Sequence, residues 1–268
     1  MPHFFINSNQ INDKSIIISR SAMPRRQNEE NYFHIARSLR SKPGEKLLLI
    51  DENQVQYETT IKEITKDEIR TQIDKSYPSK RFLDFELYLA QSPLRSDGQN
   101  FIIEKATELG VSGIYPIKTD FCTLSKSVID KKIAKWQKIM YESSKQCERA
   151  IVPECFECTT IETLIKSQNI DKIYVFCERI ATKTIRDSFN ENPIKKGEKV
   201  LVIIGPEGGF SQREFQQFAC PPLEGGPKSL ISRRGFEMLT LGDMILRAET
   251  AVTVALGNII YEYSNFNK

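Results

Sequence analysis

The sequence predicts two domains of different class: a small β-barrel followed by a larger α/β domain on a parallel sheet. Three observations carry this. Lys46 to Ile73, KLLLIDENQVQYETTIKEITKDEIRTQI, reads as short strands broken by turn-like Asp-Glu-Asn and Thr-Lys-Asp segments. From Phe85 onward strands alternate with helices, the rhythm of a parallel sheet covered on both faces. A length of 268 residues, 40% hydrophobic and 27% charged, suits one domain of moderate size plus a smaller one. The polar stretch Asp74 to Arg81, which contains Pro78, separates the two rhythms, so the domains are expected at 1–76 and 77–268.

In the first domain, Asn28 to Arg40 is expected as a helix with Tyr32, Ile35, Ala36 and Leu39 as its apolar stripe and His34, Arg37 and Arg40 opposite. In the second, Phe85 to Ala90 reads as a strand and Gln99 to Leu109 as a helix closed by Gly110, a residue suited to the left-handed position after a helix. Ile114 to Ile117 is extended. Asp130 to Cys147 is helical, with Ile133, Trp136, Met140, Ser143 and Cys147 at helical spacing. Strand Ile173 to Cys177, helix Thr182 to Phe189, strand Lys199 to Ile204 and helix Ser211 to Phe218 follow. Strand Met238 to Leu241 and a long helix from Asp243 to Tyr263 finish the domain.

The opening MPHFFINSNQINDK lacks the basic and apolar pattern of a signal peptide. No apolar run approaches the roughly 20 residues of a membrane span. A cytoplasmic protein is expected. Six cysteines fall short of the density of a secreted disulfide scaffold. Cys155 and Cys158 form one CxxC, but structural zinc usually needs four Cys or His ligands and the only histidines are His3 and His34, so no metal is expected. The net charge of +3 is unevenly spread: between Lys14 and Lys42 seven basic residues, including Arg25, Arg26, Arg37, Arg40 and Lys42, face only Glu29 and Glu30. That is a basic patch on a nearly neutral protein.

The most informative stretch is VLVIIGPEGGFSQREF, in which a strand ending at Ile204 runs into Gly205, Pro206, Glu207, Gly208 and Gly209 and then a helix. Ser211 and Glu214 form a capping box at its start. Glycines at the carboxyl end of a buried strand let a ligand approach backbone, as in open α/β sheets. The loop matches neither GxxxxGK[ST] nor GxGxxG, and Glu207 repels phosphate, so a ligand without phosphates and bearing positive charge suits it better. On spacing alone it reads equally as a turn that needs glycines. In LTLGDMILRAETAVTVALG a strand again meets a glycine, and the helix that opens there carries Arg247 and Glu249, two apart and so not on one face. Without more, these are solvated positions ahead of a buried Val252, Ala255 and Ile259 stripe. In ESSKQCERAIVPE, Gln146 and Arg149 close a helix, where a cation complements the dipole.

Taken together, EKATELGVSGIYPI (104–117), KQCERAIVPE (145–154), IGPEGGFSQRE (204–214), LGDMILRAETA (241–251) and HIARSLRSKPGEKLLLID (34–51) resemble the RsmE family in order and rough spacing, over nearly the whole chain. The resemblance implies a PUA-like RNA-binding barrel joined to a SPOUT methyltransferase domain with a trefoil knot, working as a homodimer on small-subunit (16S) ribosomal RNA. It implies S-adenosylmethionine as methyl donor and N3 of a uridine as acceptor, with no metal. Carried onto this chain, the cofactor lies against Ile204, Gly205, Pro206, Glu207, Gly208 and Gly209, the strand end Leu241 and Gly242, and backbone near Leu246. Arg149 is the first candidate to stabilise charge on the base, with Arg247 and Glu249 in support. Arg25, Arg26, His34, Arg37, Arg40 and Lys42 are candidates for RNA contact. The chain departs from the family in having Lys145 where Glu is frequent, Gly98 where a basic residue is expected, and a longer connection from Cys220 to Gly235 carrying Lys228, Arg233 and Arg234. Alternatives are a SPOUT enzyme acting on another RNA position, or a non-catalytic ribosome assembly factor.

Overall fold

The computed structural model describes residues 1–20, 25–79, 83–95, 97–167, 169–177, 180–219 and 236–266, with the side chains of 25–28, 167 and 219 outside that description. The long connection 220–235 therefore lies outside the described residues. The chain divides into two compact units, Met1–Arg81 with Ser144–Ile151, and Phe82–Ser143 with Val152–Lys268.

The first unit is built on six strands: β1 (His3–Phe5), β2 (Ile11–Asn12), β3 (Ser15–Ser19), β4 (Lys46–Ile50), β5 (Val55–Ile64) and β6 (Glu68–Pro78), in the order β1-β4-β5-β6-β3-β2. The β1–β4 pair is parallel and the others antiparallel. Where the sequence predicts a small barrel, the strands form a sheet, and among the described residues no ladder joins the edge strands β1 and β2. Asp74 to Pro78, read from composition as a polar linker, continues β6, with Pro78 opposite Val55 at the end of the ladder. A proline is tolerated there because it removes only a terminal hydrogen bond. Helix α1 (Arg25–Phe33) runs into a single π-helical turn, His34–Ser38. Its Tyr32 and Ile35 are buried among Phe4, Ile16, Leu47, Leu49 and Ile61. Tyr32 Oη donates to Thr65 O at 2.5 Å and Asn31 Nδ2 to Phe5 O at 2.7 Å, pinning the helix to the sheet. Leu39, expected in the apolar stripe, is exposed. The wider turn ends the helical phase at Ser38, so position 39 no longer points inward.

The second unit carries the expected parallel sheet: β7 (Glu86–Gln91), β8 (Gly113–Pro116), β9 (Glu154–Cys155), β10 (Lys172–Phe176), β11 (Lys199–Ile204) and β12 (Phe236–Leu239), in the order β12-β10-β11-β7-β8-β9, every pair parallel. Side chains of β11 alternate between two cores. Val200, Val202 and Ile204 join α2 (Gly98–Glu108), α3 (Lys126–Gln146), α5 (Ile185–Glu191) and α7 (Ala248–Phe266), while Leu201 and Ile203 join α4 (Ile161–Ser167) and α6 (Gln212–Ala219). Helices thus cover both faces. Gly110, at φ +88°, ends α2 as expected. The last helix begins later than the sequence predicts: Asp243 to Arg247 are not helical, and Gly242 sits at φ +118°. Arg247 therefore precedes the first turn of α7 instead of lying within it.

Candidate functional site

The site is a cleft of about 740 Å³ in the second unit, at the carboxyl ends of β10 and β11. Parallel register aligns those ends, Val175 lying opposite Ile203, so Phe176 and Cys177 reach the same level as Ile204 and Gly205. One wall is the loop Gly205 to Phe210; the other is the segment Ile245 to Ala248, with Glu249 and Ala251 from the first turn of α7.

The loop is shaped by local chemistry. Gly209 takes φ +69°, a conformation costly for a side chain, and its N–H closes a turn onto Pro206 O at 2.9 Å. Gly205 is buried, and a Cβ there would lie 3.3 Å from both Gly209 C and a ring carbon of Phe210. A Cβ on Gly208 would instead lie 3.2 Å from Phe121 Cβ. Behind the loop the expected capping box forms: Glu214 N donates to Ser211 Oγ at 3.2 Å, and Ser211 N to Glu214 Oε2 at 2.8 Å. Asp120, on the turn after β8, accepts from Ser211 Oγ at 2.5 Å and from Arg213 Nη2 at 2.6 Å and Nε at 3.2 Å. The Arg213 guanidinium first, then the Ser211 hydroxyl, hold its carboxyl below the usual range.

Of the sequence-nominated residues, Ile204, Gly205, Pro206, Glu207, Gly208, Gly209, Leu246, Arg247 and Glu249 all line this cleft. Leu241 and Gly242 do not: Leu241 packs against the sheet core, and Gly242 N is taken by Thr240 Oγ1 at 3.1 Å. Among the described residues the side chains of Glu207, Arg247 and Glu249 make no hydrogen bond or ion pair, so two carboxylates and one guanidinium remain available at the rim. Sequence reading missed Phe176, Cys177, Ile180, Phe210 and Phe215, which supply the apolar walls. The signal for the β10 pair was only that a predicted strand ended there.

Arg149 lies in the segment 144–151, which belongs with the N-terminal unit. It is half-buried, its backbone N–H bonds to Ser144 O at 2.9 Å, and desolvation brings its pKa down to about 10, so it stays charged at neutral pH. Its neighbour Glu148 sits at φ +58°. Among the basic candidates, Arg37 is exposed and stacks over Phe33 at 4.4 Å, Arg40 is exposed at φ +53°, and Lys42 is exposed. His34 is half-buried with its ring edge-on to buried Phe4 at 5.3 Å, so it packs inward more than the sequence implies. The side chains of Arg25 and Arg26 lie outside the described residues. Cys155 and Cys158 are both buried, and burial pushes the Cys155 thiol up to about 12, away from the thiolate a metal needs. Among the described residues no group of three or more His, Cys, Asp or Glu could hold a metal, and no helix is long and apolar enough to cross a membrane.

A glycine-lined cleft at the ends of parallel strands defines an α/β ligand-binding domain, and residues 82–260 match the family model described as RNA methyltransferase domain, with 28–74 matching RNA methyltransferase PUA domain. The ribosomal RNA small subunit methyltransferase E of Buchnera aphidicola subsp. Schizaphis graminum is 30% identical over 230 residues, covering 85% of this chain and 86% of the relative; that of Bacillus subtilis is 25% identical over 87% and 88%. The chain belongs to the ribosomal RNA small subunit methyltransferase E family, RsmE. The fold is shared with the Neisseria gonorrhoeae member solved with S-adenosyl methionine, at TM-score 0.75 and 22% identity over 97% of each chain. It is shared equally with a Legionella pneumophila methyltransferase solved with the same cofactor, at TM-score 0.75 and 23% identity over 97% of each chain.

Proposed function

We propose that this protein methylates N3 of a uridine in small-subunit ribosomal RNA, using S-adenosylmethionine bound in the cleft between the Gly205–Phe210 loop and the start of α7. The observation that carries the reading is the convergence of that glycine loop with Glu207, Arg247 and Glu249, whose side chains have no partner among the described residues, in one apolar-walled cleft. Its volume is in the range of small-ligand sites.

The residues present fit the cofactor. Gly205 and Gly209 offer backbone without side chains, and Phe176, Ile180, Ile204 and Leu246 provide apolar surface. Glu207 and Glu249 match a ligand that is cationic and has no phosphates, and Arg247 matches its carboxylate. Bound there, S-adenosylmethionine supplies a methyl group already activated on sulfonium sulfur. The protein's own work is then to orient the base and to stabilise negative charge that develops on the carbonyl oxygens flanking N3 as its proton leaves. We assign that charge stabilisation to Arg149; Arg247 and Glu249 support catalysis by holding the cofactor in place, since a carboxylate cannot itself stabilise negative charge on the base.

We further propose that the sheet of the first unit completes a PUA-like RNA-binding barrel, that the second unit is a SPOUT domain with a trefoil knot, and that the protein acts as a cytoplasmic homodimer. The strand order β12-β10-β11 and the packing of α7 against α2, α5 and β11 support the SPOUT reading, and membership of the RsmE family supports the rest. Arg25, Arg26, His34, Arg37, Arg40 and Lys42 form the proposed RNA surface of the first unit. Mass spectrometry of ribosomal RNA incubated with purified protein and labelled cofactor tests the function: 3-methyluridine is expected. Label on another position would point to a different RNA methyltransferase, and cofactor-independent RNA binding with no label would point to an assembly factor.

A further inference from the structure

Helix α3 presents a second basic surface, in the methyltransferase unit. Over Lys126–Gln146 it carries Lys126, Lys131, Lys132, Lys135, Lys138 and Lys145 against the carboxylates of Asp130 and Glu142, an excess of four on a chain whose total is +3, with Glu142 at the end of the same face. At 100° per residue, Lys131, Lys135 and Lys138 fall within about 60° of arc. Buried Ile129, Trp136 and Met140, with half-buried Ile133, occupy the opposite side. The three lysines are exposed, and among the described residues none of them forms a hydrogen bond or ion pair; Asp130 is paired with Lys126 at 3.1 Å.

A helix face that merely needs solubility gains from carboxylates placed three or four residues from lysines, whereas like charges at that spacing destabilise the helix by a few tenths of a kcal/mol per pair. Lys131 with Lys135, Lys132 with Lys135, and Lys135 with Lys138 are all such pairs. The arrangement disfavours the free helix and is relieved by a polyanion. Lys131 and Lys138 are about 10 Å apart along the axis, at a rise of about 1.5 Å per residue, so the stripe can meet successive phosphates of one strand.

We propose that the Lys131, Lys135 and Lys138 stripe of α3 is a phosphate-contacting surface for the RNA substrate, holding the backbone beside the methyltransferase unit while contributing nothing to cofactor binding. The inference rests on the RNA methyltransferase reading above. The occupant is an RNA strand, because a row of lysines spaced by three and four residues, without ion pairs among the described residues, matches a linear array of phosphates.

The test is the combined Lys131→Gln, Lys135→Gln, Lys138→Gln variant, with the Arg triple as rescue and Lys195→Gln with Lys196→Gln as a control at exposed lysines elsewhere in the unit. Binding to a small-subunit ribosomal RNA fragment is measured across a salt series. Loss of three phosphate contacts should weaken binding about tenfold or more and flatten the slope of log affinity against log salt by about 2.1 to 2.7. The Arg triple and the control should keep the wild-type slope, and adenosylmethionine affinity and melting temperature should stay unchanged or, for melting, rise. Wild-type affinity and slope in a folded Gln triple would overturn the inference while leaving the methyltransferase reading intact. A change confined to oligomeric state would overturn it in favour of a protein interface. Failure of the wild-type protein itself to bind RNA would instead sink the reading on which the inference rests.

Discussion

Glu214 Oε1 accepts the backbone N–H of Asp120 at 3.1 Å, joining the turn after β8 to the helix that follows the glycine loop. The other oxygen of the same buried carboxylate holds Ser211 N, so one side chain ties down two segments. Hydrogen bonds to a charged group contribute roughly 1.5–3 kcal/mol each, and the capping box adds to them. Glu214→Ala should cost about 3 kcal/mol or more in urea unfolding and weaken adenosylmethionine binding severalfold, with Glu214→Gln intermediate. Unchanged stability in the alanine variant would remove the carboxylate from any anchoring role.

Gly205 tolerates a side chain less well than Gly208 does. Its absent Cβ would meet the backbone of Gly209, which cannot move without unmaking the loop, whereas a Cβ at Gly208 would meet only the exposed Phe121 side-chain stem. Calorimetry should therefore find cofactor binding lost in Gly205→Val and only reduced in Gly208→Ala. Equal affinities in the two would argue that the loop does not touch the ligand.

Arg149→Ala should preserve cofactor affinity while slowing single-turnover methylation under saturating RNA. A charged hydrogen bond of roughly 2 kcal/mol corresponds to about thirtyfold in rate. Wild-type rates would show that the guanidinium acts elsewhere, as its place in the 144–151 segment of the first unit allows.

His3 makes the first unit acid-sensitive. Burial drives its pKa from 6.5 down to about 4, chiefly by desolvation, and neither ring nitrogen has a hydrogen-bond partner among the described residues. The folded value is depressed for a base, so above pH 6.5 both states are neutral and nothing is lost. As pH falls through 6.5 the unfolded chain takes up the proton first, and stability declines until about pH 4, by up to about 3 kcal/mol. His3→Phe should abolish this component of the pH dependence of unfolding followed on the first unit. An identical decline in the variant would assign it to carboxylates.

Arg37→Ala with Arg40→Ala should weaken RNA binding and flatten the salt slope by about 1.4 to 1.8, leaving cofactor affinity unchanged. His34 is left intact because its packing on Phe4 would confound the result. Circular dichroism checks the fold, since the Arg37 stack on Phe33 also contributes packing.

What the sequence by itself determined is local: the alternation that makes β7 to β12 a parallel sheet, the Gly205–Gly209 loop at a strand end, and the Ser211–Glu214 box. Each is written in spacings of two to four residues, which the backbone turns directly into strands, turns and caps. Tertiary structure alone decided what faces the loop. Phe176 and Cys177 enter the cleft because β10 and β11 are neighbours in register, and strand order is a non-local outcome that no periodicity encodes. The same holds for the bond between Glu214 and Asp120 and for the late start of α7, where Asp243 to Arg247 are not helical and Ile245 to Arg247 form part of the cleft's second wall. Helix propensity favours continuing α7 backward, but a left-handed glycine and the need to line a cavity outweigh it.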